Sequence, residues 1–191
     1  MKKKESEVKS LEILLGGDHL QIEQLLALLK TLWLKRRNEV DEQYKRTLPL
    51  GDYIVDRWEK AKTLRFGDGA SVYDSVLVFG DVQVGPKTWI GPFVILDGSG
   101  GLSIGVNCSI SAGVQIYSHD SVKWATSGGV HGYDFSKTTI EDNCYIGPNT
   151  IIAKGVTIGA GSVVGANSYV DKSWLKGSKI AGNPARALKR S

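Results

Sequence analysis

Between Ile140 and Val170 the chain reads IEDNCY IGPNTI IAKGVT IGAGSV VGANSY V, and every block of six opens with Ile or Val. The fifth place of each block holds a small or compact residue: Cys144, Thr150, Val156, Ser162 and Ser168. A period of six matches neither the 3.6-residue turn of a helix nor the alternation of a hairpin strand. Short repeated units of this kind cannot bury an apolar face alone, so they stack into a solenoid.

The frame extends backwards. Val72, Val78, Val84, Ile90 and Leu96 open successive blocks, a two-residue slip falls around Asp97 to Gly101, and the frame restarts at Ile104, Ile110 and Ile116. With Ile140, Ile146, Ile152, Ile158, Val164 and Val170, fourteen openings are all Ile, Leu or Val. Each block reads as a short strand and a turn, with the opening aliphatic inward and the small residue near a corner. Gly67, Gly85, Gly91, Gly105, Gly147, Gly159 and Gly165, with Asn and Asp elsewhere, are expected to allow the tight turns. Three blocks make one triangular coil, and the chain holds about five coils of parallel strands roughly 4.8 Å apart. The register predicts one column of Val84, Ile104, Ile140 and Ile158 and a small-residue column of Ala70, Thr88, Cys108, Cys144 and Ser162. Cys108 and Cys144 are therefore expected one coil apart, as reduced core residues.

Composition divides the chain. Only three of the 23 glycines precede Phe66, and the segment from Ser6 to Lys62 is rich in Leu, Glu, Lys and Arg, as helices are. Residues 1–65 are assigned as an N-terminal helical segment, 66–175 as the solenoid with a loop at 121–138, and 176–191 as a C-terminal tail. A first helix is expected to start near Asp18 as its cap and to carry Leu20, Ile22, Leu25, Leu26, Leu28, Leu29, Leu32 and Trp33 on a broad apolar face. That face is expected to pack on its own protein or a sister subunit rather than on a membrane surface. A second short helix is expected from Asp52 to Lys62, with Ile54, Val55 and Trp58 inward.

The net charge of +4 is modest and spread, which does not indicate a nucleic-acid partner. Two cysteines without a secretory pattern point to a reducing compartment. Lys30 and Lys35 to Arg37 interrupt the only long apolar run, below the roughly 18 residues of a spanning helix, so a soluble cytoplasmic protein is expected.

The register fails between Ile116 and Ile140. Continuing in sixes would open blocks with Val122, Gly128 and Asp134, which build no core, so the chain leaves the coil after His119. The extruded loop carries Trp124, His131, Tyr133 and Phe135. Long loops on regular scaffolds are usually functional. His119, at the junction of rigid coil and loop, is placed as a catalytic base.

The block pattern, the IleTyrSerHisAsp of 116–120, the run from Ile146 to Ser168 and the AlaGlyAsnProAlaArg of 181–186 resemble the hexapeptide-repeat acyltransferases, in particular their sugar and xenobiotic acetyltransferase branch. The resemblance covers about Phe66 to Leu188. It implies a left-handed parallel β-helix, a homotrimer, and acetyl-CoA lying in a groove between subunits as acyl donor, with no metal. It implies that His119 takes the proton of an acceptor hydroxyl or amine. It assigns Ala166 to the pantetheine arm and Lys172 and Arg186 to the nucleotide end. Asp120, Trp124 and Tyr145 are candidates for sugar binding. Tyr145 stands where related sugar enzymes often carry Trp, and the Asn that helps some of them bind acceptor has no clear match near Phe93. Enzymes that modify the sugars of surface polysaccharides are the nearer resemblance. Six basic residues from Val170 onward (Lys172, Lys176, Lys179, Arg186, Lys189 and Arg190) face one acid, Asp171, so that end suits phosphates.

Two other readings fit a β-helix. A zinc carbonic anhydrase needs three histidine ligands from adjacent coils, whereas the histidines here are His19, His119 and His131, the first in the helical segment. A non-catalytic scaffold for binding or assembly would have no need of His119.

Overall fold

The computed structural model describes residues 19–188, with side chains from residue 23 onward. It comprises two compact units that divide between Ile54 and Val55.

The first unit contains helix α1, His19–Tyr44, and the short helix α2, Leu50–Ile54. They are joined around Tyr53, which is 1% exposed and whose hydroxyl accepts from the Leu48 N–H at 2.7 Å, while Arg36 Nε donates to its carbonyl at 3.1 Å. Asp18 and the side chains of Leu20 and Ile22 lie outside the described residues. Leu25, Leu26, Leu28, Leu29 and Leu32 of α1 are exposed.

The helix expected from Asp52 to Lys62 is two helices, α2 and α3, Arg57–Thr63. The Asp56 carboxylate between them accepts from the N–H groups of Trp58 and Glu59 at 2.9 and 3.1 Å and starts a new helix with a new phase. That reset corrects the expected inward face. Ile54 and Trp58 are exposed and Val55 half-buried, while Tyr53 and Ala61 are the buried positions.

The second unit opens with α3, followed by strands β1 Ser71–Val72, β2 Leu77–Val84, β3 Trp89–Ile90, β4 Ile95–Ile104, β5 Ser109–Ile110, β6 Gln115–Ile116 and β7 His119–Asp120. Helix α4, Val122–Thr126, and strand β8, Asp134–Phe135, lie in the extruded segment. The solenoid resumes with β9 Thr138–Ile140, β10 Tyr145–Ile146, β11 Ile151–Ile152, β12 Thr157–Ile158, β13 Val163–Val164, β14 Tyr169–Val170, β15 Lys179–Ala181 and β16 Arg186–Ala187. One face stacks β1, β3, β5, β10, β13 and β15 in parallel, which gives six turns rather than five, because Lys179 and Ile180 pair with Val163 and Val164.

The columns fall where the six-residue frame puts them. Val84 pairs with Ile104, Ile104 with Ile140 and Ile140 with Ile158. Thirteen of the fourteen block openings are buried; Val78 is half-buried, on an edge strand paired only with β4. Cys108 and Cys144 are free, buried and stacked on adjacent turns, next to the Ser109–Tyr145 pair. The small-residue column also satisfies the corners. Thr88 donates to the Gly105 carbonyl at 2.7 Å and Ser162 to Gly159 at 2.6 Å, and on the β11–β14 face Ser168 donates likewise to Gly165 at 2.7 Å.

The block-following glycines serve a purpose other than the one expected. A Cβ on Gly147 would stand 2.5 Å from the Ala166 nitrogen, and one on Gly159 would stand 2.3 Å from the Lys176 nitrogen. Their role is close approach between coils. The left-handed turn positions are taken by residues such as Asn107, Asn143, Asn149 and Asn167, with φ between 54° and 59°, as expected of Asn.

Both ends of the stack are closed. At the first turn Lys60 of α3 donates to the carbonyls of Tyr73, Asp74 and Val76 at 3.2, 2.7 and 3.2 Å. At the last, β16 folds back antiparallel on β15 and buries Ala185. Because Ile110 is stacked between Ile90 and Ile146 and fully buried, Ile110→Ala is expected to cost about 2–5 kcal/mol, measured by chemical denaturation.

Candidate active site

The slip at Asp97 to Gly101 and the loop after Asp120 meet in space. In β4 the carboxylate of Asp97, 1% exposed, faces the segment that follows β6 on the next turn. Its Oδ1 accepts from the Ser99 N–H at 2.9 Å, and its Oδ2 accepts from the N–H groups of Ser118 and His119 at 3.0 and 3.2 Å. The same Oδ2 lies 2.5 Å from His119 Nδ1. Gly98 and Gly100 make this possible. A Cβ on Gly98 would meet the Asp81 carbonyl at 2.2 Å, and one on Gly100 would meet the Ser118 carbonyl at 2.3 Å.

Burial alone pushes the Asp97 carboxyl up. The hydrogen bonds from Ser99, from the Ser118 and Ser99 N–H groups and from His119 outweigh it and hold the group down at about 2. An ionised carboxylate accepts only, so the proton between the two side chains belongs to Nδ1. Nε2 then carries the lone pair. The tautomer is thus set by chemistry on a neighbouring coil.

His119 lines a cleft of about 430 Å³ with Tyr117, Asp120, Ser121, Val122, Ala153, Lys154 and Tyr169. Its ring is one-third exposed. The extruded segment returns over it. β8 pairs antiparallel with β7, His119 opposite Phe135 and Asp120 opposite Asp134. The imidazole stacks on Phe135 and Tyr133, with centroids 5.8 and 6.1 Å away and planes 26° apart, and Trp124 of α4 meets Tyr133 edge-on at 5.8 Å. The loop base is pinned to the coils. Ser136 N–H donates to the Ser118 carbonyl at 2.9 Å, and the Thr138 hydroxyl to the Tyr117 carbonyl at 2.7 Å.

Of the residues singled out in the sequence, His119 and Asp120 share the cleft, and Trp124 joins through Tyr133. Tyr145 stands apart, outward on β10 between Ser109 and Val163, and is not among the residues lining the cleft. Ala166 occupies the corner before β14, whose Tyr169 lines the cleft. Lys172 and Arg186 lie beyond β14, both exposed. Lys172 Nζ sits 5.1 Å from the Trp174 ring centroid. Among the described residues, Lys172, Lys176, Lys179 and Arg186 form no ion pair with a carboxylate. Lys189 and Arg190 lie outside the described residues.

Sequence reasoning missed Asp97 and Lys154. A signal for Asp97 was present: an acid between two aliphatic openings at a place where the repeat slips. Lys154 carried none, since a lysine at a turn is ordinarily solvated. Among the described residues no three His, Cys, Asp or Glu side chains gather as a metal-binding set, and no helix is long and apolar enough to cross a membrane.

Comparison with known proteins agrees with this fold. The bacterial transferase hexapeptide family model (six repeats) matches residues 137–172. YvoF of Bacillus subtilis (strain 168), which carries an acetyltransferase name, is 36% identical over 87 residues, 46% of this chain and 46% of that protein. The chain thus spans about half the length of that relative. The crystal structure of the hexapeptide-repeat-containing acetyltransferase VCA0836 from Vibrio cholerae has a TM-score of 0.57 at 25% identity, covering 88% of this chain and 92% of that one. AntD, an N-acyltransferase from Bacillus cereus solved with dTDP and 3-hydroxybutyryl-CoA, shares the fold with a TM-score of 0.59 at 23% identity, over 65% of this chain and 70% of its own.

The Asp97 geometry has a consequence for stability. A carboxyl held at about 2 when folded, against 3.8 in its ordinary state, stabilises the fold above about pH 4, and that contribution is lost as pH falls towards 2. Asp97→Asn is expected to be less stable than wild type at neutral pH, with the gap narrowing by about 2 kcal/mol between pH 4 and pH 2 in denaturation series.

Proposed function

We propose that this chain, a hexapeptide-repeat protein by sequence and by fold, transfers an acetyl group from acetyl-CoA to a hydroxyl or amino group of a sugar. The observation that carries the reading is the buried Asp97 fixing the tautomer of a cleft-lining His119. A nucleotide- or carrier-linked sugar of surface polysaccharide synthesis is the proposed acceptor. The likeness to AntD, also solved with dTDP-4-amino-4,6-dideoxyglucose and coenzyme A, supports a nucleotide sugar.

In this reading His119 Nε2 takes the acceptor proton as the oxygen or nitrogen attacks the thioester carbonyl. Asp97 stabilises the imidazolium that forms, without itself taking the proton. The imidazolium then returns the proton to the departing sulfur, so the enzyme ends the cycle unchanged. The thioester, when bound, supplies an activated acyl carbon, and no protein nucleophile is needed. Cys108 and Cys144 are buried in the core, away from the cleft lining. The oxyanion calls for a backbone N–H donor from an adjacent coil.

Lys172 and Arg186 are the proposed phosphate contacts and Ala166 the proposed main-chain contact with the pantetheine arm. Asp120 and Trp124 are proposed to meet the sugar. The proposed assembly is a homotrimer with the donor groove between subunits, and Tyr145, exposed on another sheet, is the proposed contribution of a neighbouring copy.

A thiol-release assay with acetyl-CoA and a panel of nucleotide sugars and free glycosides tests the reading. Turnover is expected to fall by about two to four orders of magnitude in His119→Ala, the scale of a lost general base. Equal turnover in wild type and variant would sink it.

A further inference from the structure

We infer that Lys154 is a positioning residue that acts through Asp134, setting where the aromatic hairpin stands over His119. The inference rests on the acyl-transfer reading for its kinetic consequence, but its structural part stands alone.

Lys154 belongs to the solenoid, in the turn after β11, where the Gly155 N–H donates to the Ser136 carbonyl at 3.2 Å. Its ammonium lies 3.2 Å from Asp120 Oδ2 and 3.1 Å from Asp134 Oδ2. Lys123 of α4 reaches that same oxygen of Asp134 at 2.9 Å. Asp120 and Asp134 are directly opposite in the β7–β8 register. Like charges facing across a strand pair repel, and a pairing of two residues on each side has little stability of its own. Lys154 converts that repulsion into a bridge and ties the hairpin to the rigid coil.

Asp134 sits between Tyr133 and Phe135, the two rings stacked on His119, so any displacement of its backbone moves both rings. His119 is held separately, by Asp97 on the preceding turn. Losing Lys154 should therefore leave the base in place and loosen the wall beside it. The charges agree with the geometry. Lys123 first and Lys154 second hold the Asp134 carboxyl below its ordinary range, and Asp134 is the main cause of the raised Lys154 ammonium.

The test compares wild type with Lys154→Met, Lys154→Arg, Asp134→Asn and the double variant Lys154→Met/Asp134→Asn. Hydrogen exchange by mass spectrometry follows the peptide spanning 130–136, and thiol release with the fastest panel acceptor gives KM and kcat. Lys154→Met and Asp134→Asn are each expected to speed exchange in that peptide and to raise acceptor KM by about fivefold, with the KM for acetyl-CoA unchanged. The double variant should be no worse than either single one, and Lys154→Arg should recover most of the loss. Unchanged exchange in Lys154→Met overturns the inference. So does a raised acceptor KM in Lys154→Met with Asp134→Asn at the wild-type value, because the lysine would then act on the acceptor directly or through Asp120 rather than through the hairpin. Absence of thiol release from wild type would sink acyl transfer instead, and the exchange arm would still decide whether Lys154 holds the hairpin.

Discussion

The parallel stacking of successive turns is the interaction on which everything else in this protein depends. A strand of two residues has almost no stability of its own. It persists here because each interior block hydrogen-bonds to the turns above and below and sets one aliphatic side chain into a continuous column. The spacing of that ladder dictates which residues are tolerated between strands. At Gly147 and Gly159 the next coil passes so close that a methyl group would overlap its backbone. The hydroxyls of Thr88 and Ser162 in one column and of Ser168 in another then satisfy carbonyls that the corners would leave unpaired. Covering both ends, with α3 at the first turn and the β15–β16 hairpin at the last, protects the surfaces that stacking alone would leave open.

The same stacking positions the chemistry. Asp97 and His119 are 22 residues apart in sequence but one turn apart in the solenoid. The register that aligns Leu96 with Ile116 carries the segments beyond them into contact. In the regular run the corresponding places hold residues such as Gly147 and Gly165 at the second position of a block and the turn residues Asn149 and Asn167 at the fourth. The two-residue slip frees β4 from the frame, and Gly98 and Gly100 let its backbone pass close to Asp81 and Ser118. A buried carboxylate is costly unless its oxygens are occupied. Here three N–H groups and an imidazole occupy them, so the cost of burial falls on a group whose orientation is fixed.

How much of this was legible in the sequence follows from which forces are periodic. Column burial repeats every six residues, so Ile104, Ile140 and Ile158 could be stacked correctly from letters alone, and the Cys108–Cys144 neighbourhood with them. Val78 followed the letters but is only half-buried, although Val84 on the same edge strand is buried. The sixth turn was missed because Trp174 and Ile180 come after a break in the frame, and only pairing with Thr157, Ile158 and Val164 shows that the coil continues. The glycines were read by their commonest use, turn freedom, when their real constraint is a contact with residues roughly 20 positions away. The helical segment failed for a local reason: the Asp56 cap restarts the helix and rotates Trp58 outward.

Chemistry is aperiodic, and this is why the site sits where the repeat fails. A hexapeptide frame can place aliphatic and small side chains; it has no slot for an ionised acid, a partly exposed imidazole or an aromatic wall. Both departures from the frame are needed, and they must fall on adjacent turns: the slip supplies the acid that fixes the ring, and the loop supplies the rings that stack on it. Either departure alone would be an irregularity in a scaffold. Asp97 without the loop would be a satisfied core acid, and the loop without Asp97 would carry a histidine free to take either tautomer. Their meeting at His119 makes the arrangement read as a reaction site rather than as a tolerated defect in the solenoid.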